Sequence, residues 1–596
     1  MAVKINESLV RYVDLHNSSI INKACPFFNT QYMPLKVILT ISFLITSIAC
    51  FSQVKDAFRE GQDIANMEAK AAGLKQEALM AASNFSKASI NFDINYLDCK
   101  WNVDPGVRYI QGSVKTGFTI TERTNLITFD LADELKVDSI RFRTSKISHY
   151  RPFDNSVIVN LGVFLDKGNK DAVEIFYHGI PPVTAPISSF TTSAHAGVPV
   201  LWTLSEPYGG RDWWPCKNGL NDKADSLDIA ITTPEKYTSS TNGMLQSDVV
   251  LGGFRTTRWK HRYPIATYLV AFAATNYRVI QDQVKLGNTT MPIMEHAYPE
   301  KANDFLNAAS ITKRTLQLLH NTFTPYPFIK ERYGHTQFGF GGGMEHQTNS
   351  FMQNMSETLI VHEAAHQWFG NMATEKSFHH LWLSEGFATY LTHRYMESRY
   401  GDSILKGRLQ ADREKINEFL SRTPRSVIDT VANYMSLLNA NSYEKGGWVL
   451  HMIRKQVGDQ AFQQIIRQYY ESFKGKNADT DDFRKVVESI TGQDWSVFFD
   501  QWLKQKVNPS LQIQWENSAD GKSANLSIRQ LQPTEPFSFP LTLDLTPGSG
   551  NKKRVKIQVT KTEETFILPE PGTIDSIVVD PETELLIDKL IVVQKG

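Results

Sequence analysis

The spacing of apolar and polar residues changes twice along the chain, and each change predicts a different kind of structure. From about residue 90 to 285 the chain shows short alternating stretches, for example at 156–164 and 172–177. Such alternation is typical of strands with one buried face. From about 286 to 505 the sequence has mostly helical character, and strand patterns return after Asn508-Pro509, at 511–515, 555–559 and 576–579. The pattern predicts a multidomain α+β protein.

These three stretches predict three folded domains, which a chain of 596 residues is long enough to hold. We expect a β domain at 90–285, a mainly helical domain at 286–505 and a C-terminal domain at 506–596. About ninety residues with strand patterning suit one small β-sandwich. Residues 53–89 are rich in Ala, Glu and Lys and predict a helical extension ahead of the β domain.

The first 52 residues predict a leader. Lys36 precedes an apolar run at 37–45 that is short for a membrane span and typical of a signal-peptide core. Cys50 and Ser52 are small residues, as is typical just before a signal-peptide cleavage site, which would lie ahead of Gln53. We therefore expect an exported protein, periplasmic or extracellular, with no stable membrane span after cleavage. Two alternatives stay open, a lipoprotein anchored at Cys50 and a retained membrane anchor, and Met33 is a second candidate for the true start.

The amino-acid composition gives information about possible binding partners. Lys plus Arg and Asp plus Glu each total 63, so the net charge of zero gives no sign of a nucleic-acid partner. The hydrophobic content of 41% is ample for sizeable cores. If the leader is cleaved, Cys99 and Cys216 are the cysteines that remain, and the sequence leaves their pairing and the oligomeric state open.

The segment His362-Glu363-Ala364-Ala365-His366 carries the clearest chemistry. Residues four apart lie on one face of a helix, so both imidazoles can point at one metal ion, with Glu363 beside that face. Ser356 is the expected N-cap of this helix, and Gly370-Asn371 its expected end.

A second carboxylate completes the pattern. Eighteen residues separate His366 from Glu385, which we place in the first turn of another helix with Ser384 as N-cap. Two histidines and a distant carboxylate leave one position open, as in catalytic zinc sites. The alternative is that the helix dipole alone favours Glu385 there. The motif predicts a zinc hydrolase with one Zn²⁺ bound by His362, His366 and Glu385, and Glu363 as general base.

The segments HEAAHQWFGN and WLSEGFATY resemble the zinc aminopeptidases that include alanyl and leucyl aminopeptidases and leukotriene hydrolase. Gly342–His346 stands where that family has Gly-Ala-Met-Glu-Asn, Tyr443 where it keeps a transition-state tyrosine, and 211–216 where it has Arg-x-x-x-Pro-Cys. The resemblance covers about residues 90–505. It implies an N-terminal β-sandwich-like domain and a thermolysin-like catalytic domain.

The resemblance also implies roles for single residues. Tyr443 would donate a hydrogen bond to the oxyanion of the transition state. Glu345, and Glu206 five residues before Arg211, would bind the substrate α-ammonium, whose charge offsets the cost of a buried carboxylate. The alternatives are a half-buried packing role for Tyr443 and a surface position for Glu206.

The glycine-rich run at 337–344 is expected to form a strand edge. There Gly342, Gly343 and Met344 would pair with an extended peptide by β-augmentation, with a flexible loop as the alternative. His346 departs from the family, which has Asn at this position, and the change could alter specificity or introduce a pH-sensitive group.

These features together predict a zinc aminopeptidase that removes N-terminal residues from peptides, with a broad preference for apolar or basic first residues. The alternatives are a zinc hydrolase of a small epoxide-type substrate and a catalytically inactive peptide-binding protein. The sequence leaves no room for the helical domain that longer relatives append. We therefore expect the site to be more open toward the far end of the substrate.

Overall fold

The computed structural model describes residues 86–184, 188–548, 550–569 and 573–595. The predicted leader, and the predicted helical extension up to residue 85, lie outside these ranges. Strands predominate up to residue 297, helices from 302 to 504, and strands again from 511 to 594. The α+β class is therefore confirmed.

Fifteen strands lie before residue 276 within the described ranges. They are β1 (Phe92–Asn102), β2 (Ile110–Ile120), β3 (Thr124–Asp130), β4 (Leu135–Phe142), β5 (Ser145–Ile147), β6 (Tyr150–Pro152), β7 (Ser156–Leu165), β8 (Lys170–Gly179), β9 (Phe190–His195), β10 (Val198–Thr203), β11 (Leu227–Pro234), β12 (Thr238–Thr241), β13 (Met244–Leu251), β14 (Phe254–His261) and β15 (Phe272–Thr275). The alternating stretches predicted at 156–164 and 172–177 are β7 and β8.

These strands form three sheets. The largest has the order β13-β14-β11-β1-β2-β8-β4-β5, in which β1 pairs antiparallel with β2 and parallel with β11. The others have the orders β12-β15-β10-β9 and β3-β7-β6. Buried side chains alternate with more exposed ones along much of β1, because one face of the sheet covers a hydrophobic core.

A five-stranded sheet follows, with the order β16-β17-β18-β20-β19. Its strands are β16 (Arg278–Leu286), β17 (Thr289–Ala297), β18 (His335–Gln337), β19 (Gly343–Met344) and β20 (Ser350–Met352). The short strand β19 lies at the edge and pairs antiparallel with β20. One side of β19 is therefore free of strand pairing among the described residues.

The α-helices of the described residues lie between 302 and 504. They are α1 (Ala302–Thr322), α2 (Glu357–His366), α3 (Trp382–Tyr400), α4 (Asp402–Arg422), α5 (Tyr434–Leu437), α6 (Gly446–Val457), α7 (Asp459–Phe473), α8 (Thr480–Thr491) and α9 (Ser496–Lys504). Two short parallel strands, β21 (Ala373–Glu375) and β22 (Lys476–Ala478), lie among them. None of the helices in the described ranges is both long and apolar enough to span a membrane.

The C-terminal strands form two sheets, of the orders β27-β24-β23-β29 and β26-β25-β28. They are β23 (Leu511–Asn517), β24 (Ser523–Gln530), β25 (Phe539–Pro547), β26 (Lys553–Val559), β27 (Glu563–Pro569), β28 (Ile574–Val579) and β29 (Leu590–Gln594). Ile513 of one sheet and Leu543 of the other lie in one hydrophobic cluster. The strands predicted at 511–515, 555–559 and 576–579 are all present.

Hydrophobic clusters cross the predicted domain boundaries. One cluster joins Trp368 and Trp448 of the helical region to Leu541 of a C-terminal strand. Another joins the N-terminal strands to Leu359 and Tyr443. The boundaries at 90, 286 and 506 stay predictions, since the described part of the chain packs as one unit.

Candidate active site

Helix α2 brings the two histidines of the motif onto one buried face. It begins at Glu357, and the Oγ of Ser356 accepts a hydrogen bond from the N–H of Leu359 at 3.4 Å, as the predicted N-cap should. The predicted end at Gly370-Asn371 is wrong, because the helix ends at His366. From there the chain tightens into a turn that Gly370 closes by donating to the carbonyl of Ala373 at 2.8 Å.

Helix α3 places Glu385 opposite this face, but it starts earlier than predicted. It begins at Trp382, and the N–H of Glu385 already bonds to the carbonyl of Leu381 at 2.9 Å. Ser384 is therefore not the N-cap. Instead, its hydroxyl lies 3.1 Å from Nδ1 of His366.

The atoms predicted to bind the metal form a small triangle. Nε2 of His362 lies 3.0 Å from Nε2 of His366 and 3.1 Å from Oε2 of Glu385, and the third edge is 3.3 Å. Ligands about 2.0–2.1 Å from a tetrahedral zinc ion lie about 3.3 Å apart, so the triangle has the right size. Within the described residues, these three form the group that could hold a metal ion. The donor set therefore fits one Zn²⁺.

His366 is held in the orientation that a metal ligand needs. Its Nδ1 lies 3.2 Å from the carbonyl oxygen of Phe369 and 3.1 Å from Oγ of Ser384. An Nδ1–H that donates to the carbonyl leaves the lone pair on Nε2. That lone pair faces the triangle, which favours metal binding there.

Glu363 lies directly under the edge strand β19. A Cβ atom on Gly343 would come within 2.6 Å of Cδ of Glu363, so a residue with a side chain at this position would displace the carboxylate. Glu363 is 1% exposed, and its Oε2 has no hydrogen-bond partner among the described residues. Burial raises the pKa of this carboxyl, as suits a proton acceptor.

Tyr443 approaches the same place from a π-helical turn at Asn441–Lys445. Its buried ring stacks on that of His362, with centroids 6.2 Å apart. The position of the π-helical turn depends on a close contact between two glycines. A Cβ atom on Gly386 would lie 2.8 Å from the backbone of Gly446. The segment that follows Tyr443 thereby packs directly against the helix that carries Glu385.

Glu345 and Glu206 form a pair of buried carboxylates, 4% and 8% exposed. Burial, and then the charge of Glu345, raise the pKa of Glu206. A hydrogen bond links Glu206 to Tyr434, and another links Glu345 to Tyr268. Two buried carboxylates close to each other repel one another when both are charged, so a cationic ligand between them is favoured.

The predicted strand edge is present, although it is shorter than the glycine-rich run. Gly343 and Met344 form β19, Gly342 precedes it with φ of 101°, and 338–342 form a loop after β18. His346 is 1% exposed, and neither of its ring nitrogens has a hydrogen-bond partner in the part of the chain described. Burial lowers its pKa to about 3, so it stays neutral and does not act as a pH-sensitive group near neutral pH.

Several residues around the site were not assigned to it from the sequence. Tyr268 and Tyr434 reach it through contacts between segments far apart in the chain, for which neither motif nor spacing gave a signal. Ser384 was predicted only as an N-cap, and its contact with His366 was missed. Glu375, at the end of β21, was also missed, although it follows the zinc motif closely. Cys99 and Cys216 are both buried free thiols.

The chain is similar to known proteins over a region that contains most of the site residues. Residues 310–502 match the Peptidase family M1 domain. This segment contains the three predicted metal ligands together with Glu345 and Tyr443, while Glu206 lies before it. Glutamyl aminopeptidase of Bitis rhinoceros is 26% identical over 380 residues, which are 59% of this chain and 39% of that protein. The chain thus spans about two fifths of the length of the curated relatives it matches.

Among the solved structures that resemble this fold are two peptidases. The M1 zinc metallopeptidase from Deinococcus radiodurans has a TM-score of 0.62 and 25% identity, over 70% of this chain and 95% of that chain. Legionella pneumophila aminopeptidase A, in complex with aspartic acid, has a TM-score of 0.72 and 16% identity, over 85% of this chain and 60% of that chain. At 16% identity the second likeness shows the fold alone.

Proposed function

We propose that this chain, whose residues 310–502 belong to peptidase family M1, is a zinc-dependent aminopeptidase. The observation that carries the proposal is the geometry of the triangle formed by His362, His366 and Glu385. The carboxylate pair Glu206 and Glu345 lies near enough for the charge of Glu385 to raise the pKa of Glu206. A metal site next to an anionic pocket suits hydrolysis of the first peptide bond after a free amino terminus.

A bound Zn²⁺ would supply two things, an acidified water and polarisation of the scissile carbonyl. The residues of the chain supply the rest. Oε2 of Glu363 accepts a proton from the attacking water and passes it to the leaving amine. The hydroxyl of Tyr443 donates a hydrogen bond to the carbonyl oxygen as negative charge develops there.

Substrate position follows from the edge strand and the carboxylate pair. An extended peptide pairs with the free side of Gly343 and Met344, while Glu206 and Glu345 bind its α-ammonium. The charge-assisted hydrogen bonds to the ammonium fix the end of the peptide, so cleavage falls after the first residue. We also propose that the enzyme prefers peptide substrates whose first residue is apolar or basic.

The anchor is tested by changing Glu345 to Gln. We expect kcat/KM for a leucyl 4-nitroanilide to fall about 10- to 100-fold, because a hydrogen bond to a charged group contributes about 1.5–3 kcal/mol. The measurement is steady-state hydrolysis, with zinc content and melting temperature as checks on the fold. The control is Glu331→Gln, which removes another buried carboxylate, paired with His261 outside the site. An unchanged kcat/KM in Glu345→Gln would rule out this anchor.

The two alternatives gain no support from the described geometry. An inactive peptide-binding protein would not need the complete set of His362, Glu363, His366, Glu385 and Tyr443. An epoxide-type substrate would not need two carboxylates beside the metal site. The relatives are named for aminopeptidase activity, which also favours the peptide substrate.

We also propose export, which rests on sequence pattern alone, and a three-domain organisation. The leader at 1–52 supports a periplasmic or extracellular location, with the lipoprotein and membrane-anchor alternatives open. The change from strands to helices and back supports division near residues 286 and 506. The C-terminal part is then a small β-sandwich.

A further inference from the structure

The turn at residues 366–371, which follows helix α2, holds Glu345 by its backbone. The carbonyl oxygen of Glu345 accepts a hydrogen bond from Nδ2 of Asn371 at 2.7 Å and another from Nε2 of Gln367 at 3.1 Å. A carbonyl oxygen has two lone pairs, so these donors use both of them. Gln367 and Asn371 are fully buried, where hydrogen bonds are stronger than in water. The main chain at Glu345 is therefore fixed by this turn.

The side-chain amide of Gln367 also holds the chain three residues further on. Its Oε1 accepts a hydrogen bond from the N–H of Thr348 at 2.8 Å. Thr348 has φ of 66°, in the left-handed region that is costly for a β-branched residue, and its hydroxyl accepts a hydrogen bond from the N–H of Gly243 at 2.8 Å. One amide thus binds the backbone on both sides of the bend that follows Glu345.

The same turn contacts both a predicted metal ligand and the carboxylate of Glu345. The carbonyl oxygen of Phe369 lies 3.2 Å from Nδ1 of His366 and orients that imidazole. A hydrogen bond links the carboxylate of Glu345 to the hydroxyl of Tyr268, which lies 3.4 Å from the carbonyl oxygen of Gly370. The metal ligand and the residue expected to bind the α-ammonium therefore share one support.

An aminopeptidase needs a fixed distance between the metal and the ammonium site. One residue separates the α-ammonium from the scissile carbonyl, and a misplacement of 1 Å can cost about 10²-fold in rate. Glu345 follows the two-residue strand β19, which pairs on one side only among the described residues. Strand pairing alone therefore constrains Glu345 weakly, and the bonds from Gln367 and Asn371 supply the missing constraint.

We propose that Gln367 and Asn371 are positioning residues, which set the distance between the metal and the bound α-ammonium and so restrict cleavage to the first peptide bond. This inference rests on the proposed aminopeptidase function and names the residues that hold its two sites in register. Without the amide of Gln367, the N–H of Thr348 and one lone pair of the Glu345 carbonyl would be buried without partners. The backbone would then shift to pair them.

The first test changes Gln367 to Met, which has about the same length and no amide, in the full-length zinc enzyme. We expect kcat/KM for a leucyl 4-nitroanilide to fall about 10- to 100-fold, through kcat, with zinc content unchanged. In a Glu345→Gln background the same change should lower kcat/KM less than about threefold, because the group that Gln367 positions is already absent. The measurement is steady-state hydrolysis by the wild type, the two single variants and the double variant.

The matched control is Gln501→Met. Gln501 is a buried glutamine of helix α9, and its amide likewise binds backbone, donating to the carbonyl of Ser538 at 2.7 Å and accepting from the N–H of Ser538 at 2.8 Å. This change should leave kcat/KM unaltered. Asn371→Ala removes the other donor to Glu345 and should reproduce the pattern of Gln367→Met, which covers the case in which Gln367→Met fails to fold.

A second measurement separates positioning from binding. The probe is 3-methylbutylamine, which carries the ammonium and side chain of leucine but no carbonyl, so its binding does not depend on the distance to the metal. By calorimetry its Kd should stay within about threefold of the wild-type value in Gln367→Met and rise at least about tenfold in Glu345→Gln. A Kd that rises in Gln367→Met as much as kcat/KM falls would mean that Gln367 only maintains the pocket, and would overturn the inference.

The remaining outcomes are equally distinct. An equal fall of kcat/KM in both backgrounds, loss of zinc from Gln367→Met, or wild-type activity in both Gln367→Met and Asn371→Ala would overturn the positioning role while the aminopeptidase stands. If the wild type does not cleave the leucyl substrate, the proposed function fails, and this inference fails with it.

Discussion

A Glu363→Gln enzyme should bind one zinc ion per chain and turn substrate over about 10²–10⁴-fold more slowly than the wild type, the range for loss of a general base. Zinc binding should survive because the triangle of ligand atoms comes from His362, His366 and Glu385. Gln has the shape of Glu, so the space under Gly343 stays filled. What is lost is the atom that accepts the proton. The measurement is kcat together with zinc content of the purified protein.

The control for this variant is Glu357→Gln in the first turn of the same helix. Glu357 accepts hydrogen bonds from Tyr395 and Tyr400 at 2.7 and 2.6 Å, outside the site, so this change should leave kcat nearly unaltered. A Glu363→Gln protein with a near-normal rate would remove Glu363 from the mechanism. A protein that had lost its zinc would instead mean that Glu363 supports the metal.

Replacing Tyr443 by Phe should lower kcat by about 10²–10³-fold, the cost of removing one donor to a developing oxyanion. KM should change little, because the bond strengthens only as charge develops on the carbonyl oxygen. The buried ring would keep its stacking on His362, so the phenylalanine should fit without a change in zinc binding. The measurement separates kcat from KM on one aminoacyl amide.

Tyr469→Phe provides the comparison, since Tyr469 is equally buried but its ring packs against Phe369, Phe387 and Phe483 rather than against a metal-ligating histidine. It should leave kcat unchanged. If Tyr443→Phe also left kcat unchanged, Tyr443 would have only a packing role. A rise in KM with kcat preserved would mean that it binds the substrate rather than the transition state.

The features that the sequence predicted well are local ones. The helix at 357–366 and its N-cap at Ser356 follow from short-range spacing and capping chemistry, and so does the convergence of His362 and His366. Strands such as β7 and β23 follow from the alternation of apolar and polar residues along the chain. Each of these signals lies within a short stretch of chain, where backbone geometry alone relates sequence to structure.

The features that it missed depend on contacts between distant segments. Ser384 looked like an N-cap, but a short 3-10 turn at Phe378–His380 leads into the helix before it, and its hydroxyl lies against His366. Nothing in the strand sequences shows that β1 pairs parallel with β11. Glu375 looks like an ordinary polar residue until its burial is known.

The central claim is that the metal site hydrolyses the bond after a free amino terminus. The most direct test compares a leucyl amide with its amino-acetylated form, each with and without a zinc chelator, on the wild-type protein. We predict that only the free-amino form is cleaved and that chelation abolishes its cleavage until zinc is restored. Cleavage of both forms at similar rates, or cleavage that survives removal of the metal, would contradict the account.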